Sequence, residues 1–148
     1  MSHGQWCERV LFAFAFSMFT AALQAQTCST RTTSGRYAVV CDGYLTPDPN
    51  SPMVPAKELA TVTADENGNF QSNDGKISLG GTIVSQTVTG TEVLNPDCTG
   101  SITFTQTIDG QPAPPLSIVF VAKRHGAEID GLAVDPGTVF SCRLTRIR

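Results

Sequence analysis

Few side chains in this chain are suited to chemistry, and each falls where structure alone would also place it. His125 is the single histidine beyond residue 25, inside the turn-forming run Lys123–Gly126. A Ser/His/Asp or Cys/His centre needs its base on a rigid, partly buried frame, so a turn tip predicts an exposed histidine. Asp65, Asn67 and Asn69 alternate like the first ligands of a calcium loop. Such a loop wants glycine at its sixth position and an acid at its twelfth, which here are Phe70 and Lys76, so a hairpin turn is expected and no metal site. Glu128 and Asp130 would share a strand face about 7 Å apart, a spacing open to paired acid and base work. Nothing marks a pocket around them, and two solvated acids on an outer face are expected. The chain has no G-x-S-x-G, P-loop, H-E-x-x-H or G-x-G-x-x-G motif. No catalytic, cofactor-binding or metal-ligating residue is assigned and no cofactor is expected; a non-catalytic role is favoured, with enzyme activity left open.

The amino terminus bears on compartment. Arg9 precedes the apolar run Val10–Leu23, and Ala25 ends a stretch of small and polar residues, which is the pattern of a signal peptide over 1–25 with cleavage after Ala25. The run is too short for a membrane span of roughly 20 residues. Cys28 follows Thr27 where a lipoprotein signal wants a smaller residue, so a lipid anchor is not expected. Cleavage would remove Cys7 and leave Cys28, Cys41, Cys98 and Cys142, an even set without a C-x-x-C motif, suited to disulfides in a secreted or periplasmic protein. Of the three possible pairings, Cys28 with Cys41 and Cys98 with Cys142 is preferred. The first would pin the new amino terminus to the first strand, and the second would tie a turn to the last strand.

The remaining segment, 26–148, suits one domain with its own core. Losing Glu8 and Arg9 leaves the formal charge at −3, the value for the whole chain. No basic patch meets an aromatic platform, so nucleic acid is not an expected partner. Arg143, Arg146 and Arg148 cluster at the carboxyl end and read as a solvated strand end.

No stretch beyond the leader has helical periodicity. Gly, Pro, Thr, Ser and Val dominate and turn signals recur, which predicts an all-β chain of short hairpins. Strands are expected at Arg36–Cys41, Glu58–Ala64, Phe70–Ser72, Lys76–Leu79, Thr82–Val88, Thr91–Leu94, Ser101–Ile108, Ser117–Ala122, Ala127–Val134 and Thr138–Arg146, with some of the short ones merging. Asn67 and Gly68 predict a type I′ turn, in which both central residues take positive φ, and Thr89–Gly90 predicts another tight link. Asn95–Gly100 is a cysteine-bearing turn before a strand that alternates cleanly, with Ile102, Phe104 and Ile108 on one face. Phe140, Cys142 and Leu144 share a face near the end of the chain. Ile129 is out of step with Leu132 and Val134, which predicts a bulge near Gly131. Leu45–Pro55 and Gly110–Pro115 are proline-rich and read as loops. Short links force neighbouring strands antiparallel, and a long meander curls shut to hide its edges.

Taken with these strands, the segments Gly35–Gly43, Asn67–Phe70, Gly90–Phe104 and Ala127–Arg146 resemble the bacterial exported proteins related to the allene oxide cyclase barrel, a calycin-like group. The turn Asn95–Gly100 is the most specific part of the likeness. The resemblance implies a closed antiparallel up-and-down barrel of about eight strands, whose mouth can hold a ligand. The plant enzymes of that family cyclise a fatty-acid epoxide inside the barrel; none of their catalytic residues maps onto a matching position here. Phe70, Phe104, Phe120 and Phe140 are candidate interior residues, expected to fill the core rather than line a chamber. Three functions follow: an exported disulfide-stabilised barrel that binds a small apolar ligand without catalysis, an adhesin-like β-sandwich interaction module, and an isomerase or cyclase acting in the interior. The oligomeric state is left open.

Overall fold

The computed structural model describes residues 27–46 and 50–148. The leader expected over 1–25 lies outside the described residues. A helical turn, α1 (Thr30–Thr33), precedes eight strands: β1 (Gly35–Leu45), β2 (Val54–Ala64), β3 (Asn69–Leu79), β4 (Thr82–Leu94), β5 (Thr99–Ile108), β6 (Gln111–Lys123), β7 (Glu128–Ala133) and β8 (Thr138–Ile147). Each pairs antiparallel with the next, and β1 also pairs with β8, so the sheet closes into a barrel. The β-sandwich alternative is overturned, because one continuous sheet leaves neither a second layer nor an open edge.

Alternation along the strands explains which face turns inward. Tyr37, Val39 and Cys41 of β1, Phe120 and Ala122 of β6, and Phe140 and Cys142 of β8 are buried, while the residues between them reach solvent. β7 keeps this period without a bulge: Ile129 and Ala133 are buried, Leu132 is 52 % exposed, and the pairing to β6 and β8 runs unbroken. The bulge expected near Gly131 is therefore absent; Leu132 and Val134 simply face outward. Irregularities fall elsewhere, between Leu59 and Thr63, between Ser72 and Gly75, and between Phe104 and Gln106.

Three expected breaks turn out to be strand. The two short segments around Ser72 and Lys76 form one β3, joined across its bulge. Thr89–Gly90 is no turn but the middle of β4, where Gly90 pairs with both Phe70 and Phe104. A Cβ on Gly90 would lie 2.7 Å from the Phe70 ring and from the Phe104 Cβ, so glycine is there to let two aromatic side chains pass over the backbone. Most of the loop expected over Gly110–Pro115 is the start of β6. Pro114 and Pro115 fall where two residues oppose one of β5, between the Phe104–Leu116 and Gln106–Ala113 pairs, so their missing N–H groups sit at the bulge. Leu45, Val54 and Pro55, also expected in a loop, belong to β1 and β2.

The turns are likewise redistributed. Gly68 alone takes positive φ (85°) in the β2–β3 link, and its N–H donates to the Asp65 carbonyl, so the expected Asn67–Gly68 type I′ turn does not form. The two-residue links of that kind are Gly80–Gly81 and Asp109–Gly110, positive at both centres. The β4–β5 turn repeats the β2–β3 pattern: Cys98, φ 70°, stands where the other has glycine, and its N–H donates to the Asn95 carbonyl.

Both disulfides differ from the preferred pairing. Cys28 bonds Cys98 and Cys41 bonds Cys142. Cys41 and Cys142 stand directly opposite one another across the β1–β8 seam, with Cα atoms 4.0 Å apart and both side chains buried. Closure decides this pairing, because it makes the first and last strands neighbours. Cys28 instead reaches the β4–β5 turn, where its N–H also donates to the Pro96 carbonyl.

The segment ahead of β1 covers one end of the barrel. Thr33 donates to a Glu92 carboxylate oxygen, Thr30 to the Glu66 carbonyl, and Arg146 to the Thr32 carbonyl. Arg146 also donates to the Tyr37 hydroxyl, which donates in turn to the Gly126 carbonyl at 2.7 Å. A Cβ on Gly126 would meet the Thr32 carbonyl oxygen at 1.9 Å, so the cap and the β6–β7 turn fit only with glycine there.

Peptide mapping of the non-reduced protein is expected to recover Cys28–Cys98 and Cys41–Cys142. Replacing both Cys41 and Cys142 with alanine opens a link spanning 101 residues, which should lower stability by about 4 kcal/mol in a guanidinium titration. An unchanged midpoint would show that strand pairing alone secures the seam.

Candidate functional site

The interior is the place where the fold gathers unusual chemistry. Inward-facing residues of all eight strands leave a cavity of about 90 Å³ along the barrel axis. Its lining runs from Tyr37 and Glu92 near the capped end to Leu45 and Leu116 towards the other, so so small a volume over that length makes a narrow cleft, not a chamber. Phe70, Phe104, Phe120 and Phe140 all line it. Phe70 and Phe104 meet edge to face, 6.3 Å between centroids, over Gly90. The aromatic rings fill most of the core, as core packing requires, but leave this residual space.

Several polar side chains interrupt the apolar lining. Glu58 of β2 projects inward between Ala56 and Ala60, opposite Cys41 on one side and Ile77 on the other. Gln86 of β4 is 4 % exposed and donates its Nε2–H to Gln106 Oε1 at 2.8 Å. Gln106 passes the bond on, donating to the Pro114 carbonyl at 3.2 Å. Glu92 lies by the cap, accepting from Thr33.

Burial shapes the acidity of these groups. With apolar neighbours on both flanking strands, desolvation pushes the Glu58 carboxyl up to about 7. Desolvation likewise raises Glu92, against a hydrogen bond from Thr33 that lowers it. Burial raises the Tyr37 hydroxyl as well, opposed by the Arg146 guanidinium beside it. The inner wall thus presents a carboxyl that is largely protonated below neutrality, a hydrogen-bonded pair of amides and an aromatic cluster.

The residues that the sequence offered as chemical candidates lie away from this space. His125 is exposed in the β6–β7 turn, φ 56°. Glu128 pairs with Arg124, and Asp130 with Lys123 and Arg143, all on the outer wall. The Lys123 ammonium, and then Arg143, hold the Asp130 carboxyl below the usual range. Asp65 accepts from the side chain and N–H of Asn69 and from the N–H of Asn67, which occupies it as a turn-maker and holds its carboxyl below the usual carboxylate range. No group of three or more His, Cys, Asp or Glu able to hold a metal ion occurs among the described residues. Arg143 and Arg146 are both engaged, with Asp130 and with Tyr37 and Thr32.

Glu58 and Gln86 were not singled out in the sequence, although a signal existed. Ala56, Glu58 and Ala60 share one phase and Val84, Gln86 and Val88 another, both of them inward. In β2 the larger apolar residue is Leu59, which is 64 % exposed, so hydrophobicity alone selects the wrong face. Among the described residues no helix is long and apolar enough to cross a membrane. Compared with protein-family models, curated proteins and solved structures, the chain matches none.

Glu58 gives a pH signature of defined sign. Its folded value, about 7, exceeds the ordinary 4.5, so between these values the folded chain holds a proton that the unfolded chain has lost. Stability contributed by this group is therefore full below about 4.5, falls as pH rises through about 7, and levels off above it, a change of up to ~3 kcal/mol. Urea titrations of the parent and of Glu58→Gln across this range should diverge with increasing pH, the variant becoming the more stable. Parallel curves would show that Glu58 is not desolvated.

Proposed function

We propose that this protein is an exported, disulfide-stabilised β-barrel that binds a small, largely apolar molecule in its interior without chemical conversion. One observation carries the reading: a cavity of about 90 Å³ remains among apolar side chains of all eight strands instead of being filled. Close packing is the rule in protein cores, and a residual apolar space is a place where a small molecule gains contact at little cost. The volume bounds the ligand. Sites for drug-sized molecules occupy roughly 300–1,000 Å³, so only a compact or slender molecule of a few heavy atoms suits this one.

Export is supported by the two disulfides, which persist in oxidising compartments, and by the leader-like pattern of 1–25. Secretion or periplasmic residence follows from the same reading. Kinship with the allene oxide cyclase barrel is part of the proposal, supported by the closed eight-strand meander. The acyl-chain cyclisation of the plant enzymes is not carried over, since a bulky fatty-acid substrate exceeds the space between Phe70, Phe104, Phe120 and Phe140.

A thermal-shift series tests the reading with cyclopentane, n-pentane and short alkanols as probes. A binder present at about ten times its dissociation constant should raise Tm by roughly 3 °C or more. Ala133→Phe, which projects a ring into the cavity, should erase that increase. A flat Tm for every probe with the parent protein refutes interior binding.

A further inference from the structure

Gln86 Oε1 is the one buried side-chain oxygen or nitrogen atom without a hydrogen-bond partner among the described residues. An orphan acceptor in a core costs free energy, and native cores keep such atoms rare. Its orientation is fixed by a relay. The Pro114 carbonyl can only accept, so Gln106 must present Nε2 to it and Oε1 to its neighbour. Gln86 must then present Nε2 to Gln106, which leaves Oε1 enclosed and without a partner, on a side chain that lines the cavity. Flipping the Gln86 amide would set two carbonyl oxygens against each other, so the relay excludes it.

The hydroxyl that β3 adds to the lining, Ser72, donates to Asp74 instead. Gly75 lies opposite Gln86 on β3, and even a Cβ at that position would come within 3.2 Å of Oε1, so the wall is bare backbone there. Val84 and Val88 flank Gln86 on its own inward face. Glu58 lines the same cavity from β2, separated from Gln86 by the whole of β3.

We propose that Gln86 Oε1 is the polar anchor of the interior site, accepting a hydrogen bond from the donor head of a small neutral ligand of the alcohol class whose apolar body lies among the valine and phenylalanine side chains. This rests on the interior-binding reading above and adds the head-group chemistry. A neutral head is required because one amide oxygen does not offset the desolvation of a charge. An unpartnered amide oxygen beside a mostly apolar cleft suits a molecule with one donor and a short hydrocarbon body. Binding is non-covalent and no bond is made or broken.

Two probes of one formula separate head group from body: 1-butanol, which has a donor, and methyl propyl ether, which has none. Each is titrated into the parent protein at about pH 6, below the point at which Glu58 ionises, and followed by methyl and side-chain amide NMR shifts. The alcohol should bind about fivefold or more tightly than the ether and should move the Gln86 side-chain amide signals. Gln86→Met, of similar volume, should bind both equally, with the ether affinity kept. Equal affinities in the parent protein overturn the anchor while leaving interior binding standing. Binding of neither probe overturns both. If Gln86→Met does not fold, the alcohol-to-ether ratio and the Gln86 amide shift in the parent protein decide alone.

Discussion

The β1–β8 seam is the constraint on which the rest of the molecule depends. Without it the eight strands would be a meander with two bare edges and no inside; with it every inward residue faces another. The Cys41–Cys142 bond lies on this seam, at opposed positions and on the inner face. It therefore holds closure and cavity wall together, since both sulfurs belong to residues that line the cleft. Glu58 sits directly across from Cys41, which places the interior carboxyl beside the covalent joint.

Closure also explains how a mostly apolar wall tolerates Glu58, Gln86 and Gln106. In an open sheet these side chains would turn to water; in a barrel their phase commits them inward. The bulge carrying Pro114 then exposes a carbonyl that Gln106 reaches, so a backbone irregularity partly satisfies a side-chain pair. What remains unsatisfied among the buried side-chain atoms of the described residues is a single amide oxygen, on a side chain that lines the cavity.

Much of the architecture was legible in the residues. The period-two patterns around Ile102–Ile108 and Phe140–Leu144 placed the inner face correctly, and the density of turn formers implied antiparallel neighbours. The errors share a cause: glycine and proline punctuate a sequence whether they make a turn, relieve a crowded strand or occupy a bulge. Gly90 clears two aromatic rings, and Pro114 and Pro115 sit at a bulge, yet each looks like a loop signal from local sequence. The disulfides misled for a different reason, because Cys28 with Cys41 was preferred as a pin of the amino terminus to the first strand, whereas closure sets Cys41 against a residue 101 positions away. The interior polar residues were hidden by Leu59, whose outward position reverses the usual preference.

The interleaving of the two disulfides has a consequence for the order of events in biogenesis. A chain that emerges amino terminus first presents Cys28 and Cys41 long before Cys98, and Cys142 last of all. Closing the short loop between the early pair costs the least entropy, so a non-native Cys28–Cys41 bond competes with the native ones during oxidation. Neither native bond can form until its distant partner arrives, and β1 waits with one side unpaired until β8 completes the ring. From a Cys28–Cys41 bond the native pairing is reached only by thiol exchange at those two cysteines, the chemistry that a disulfide isomerase catalyses.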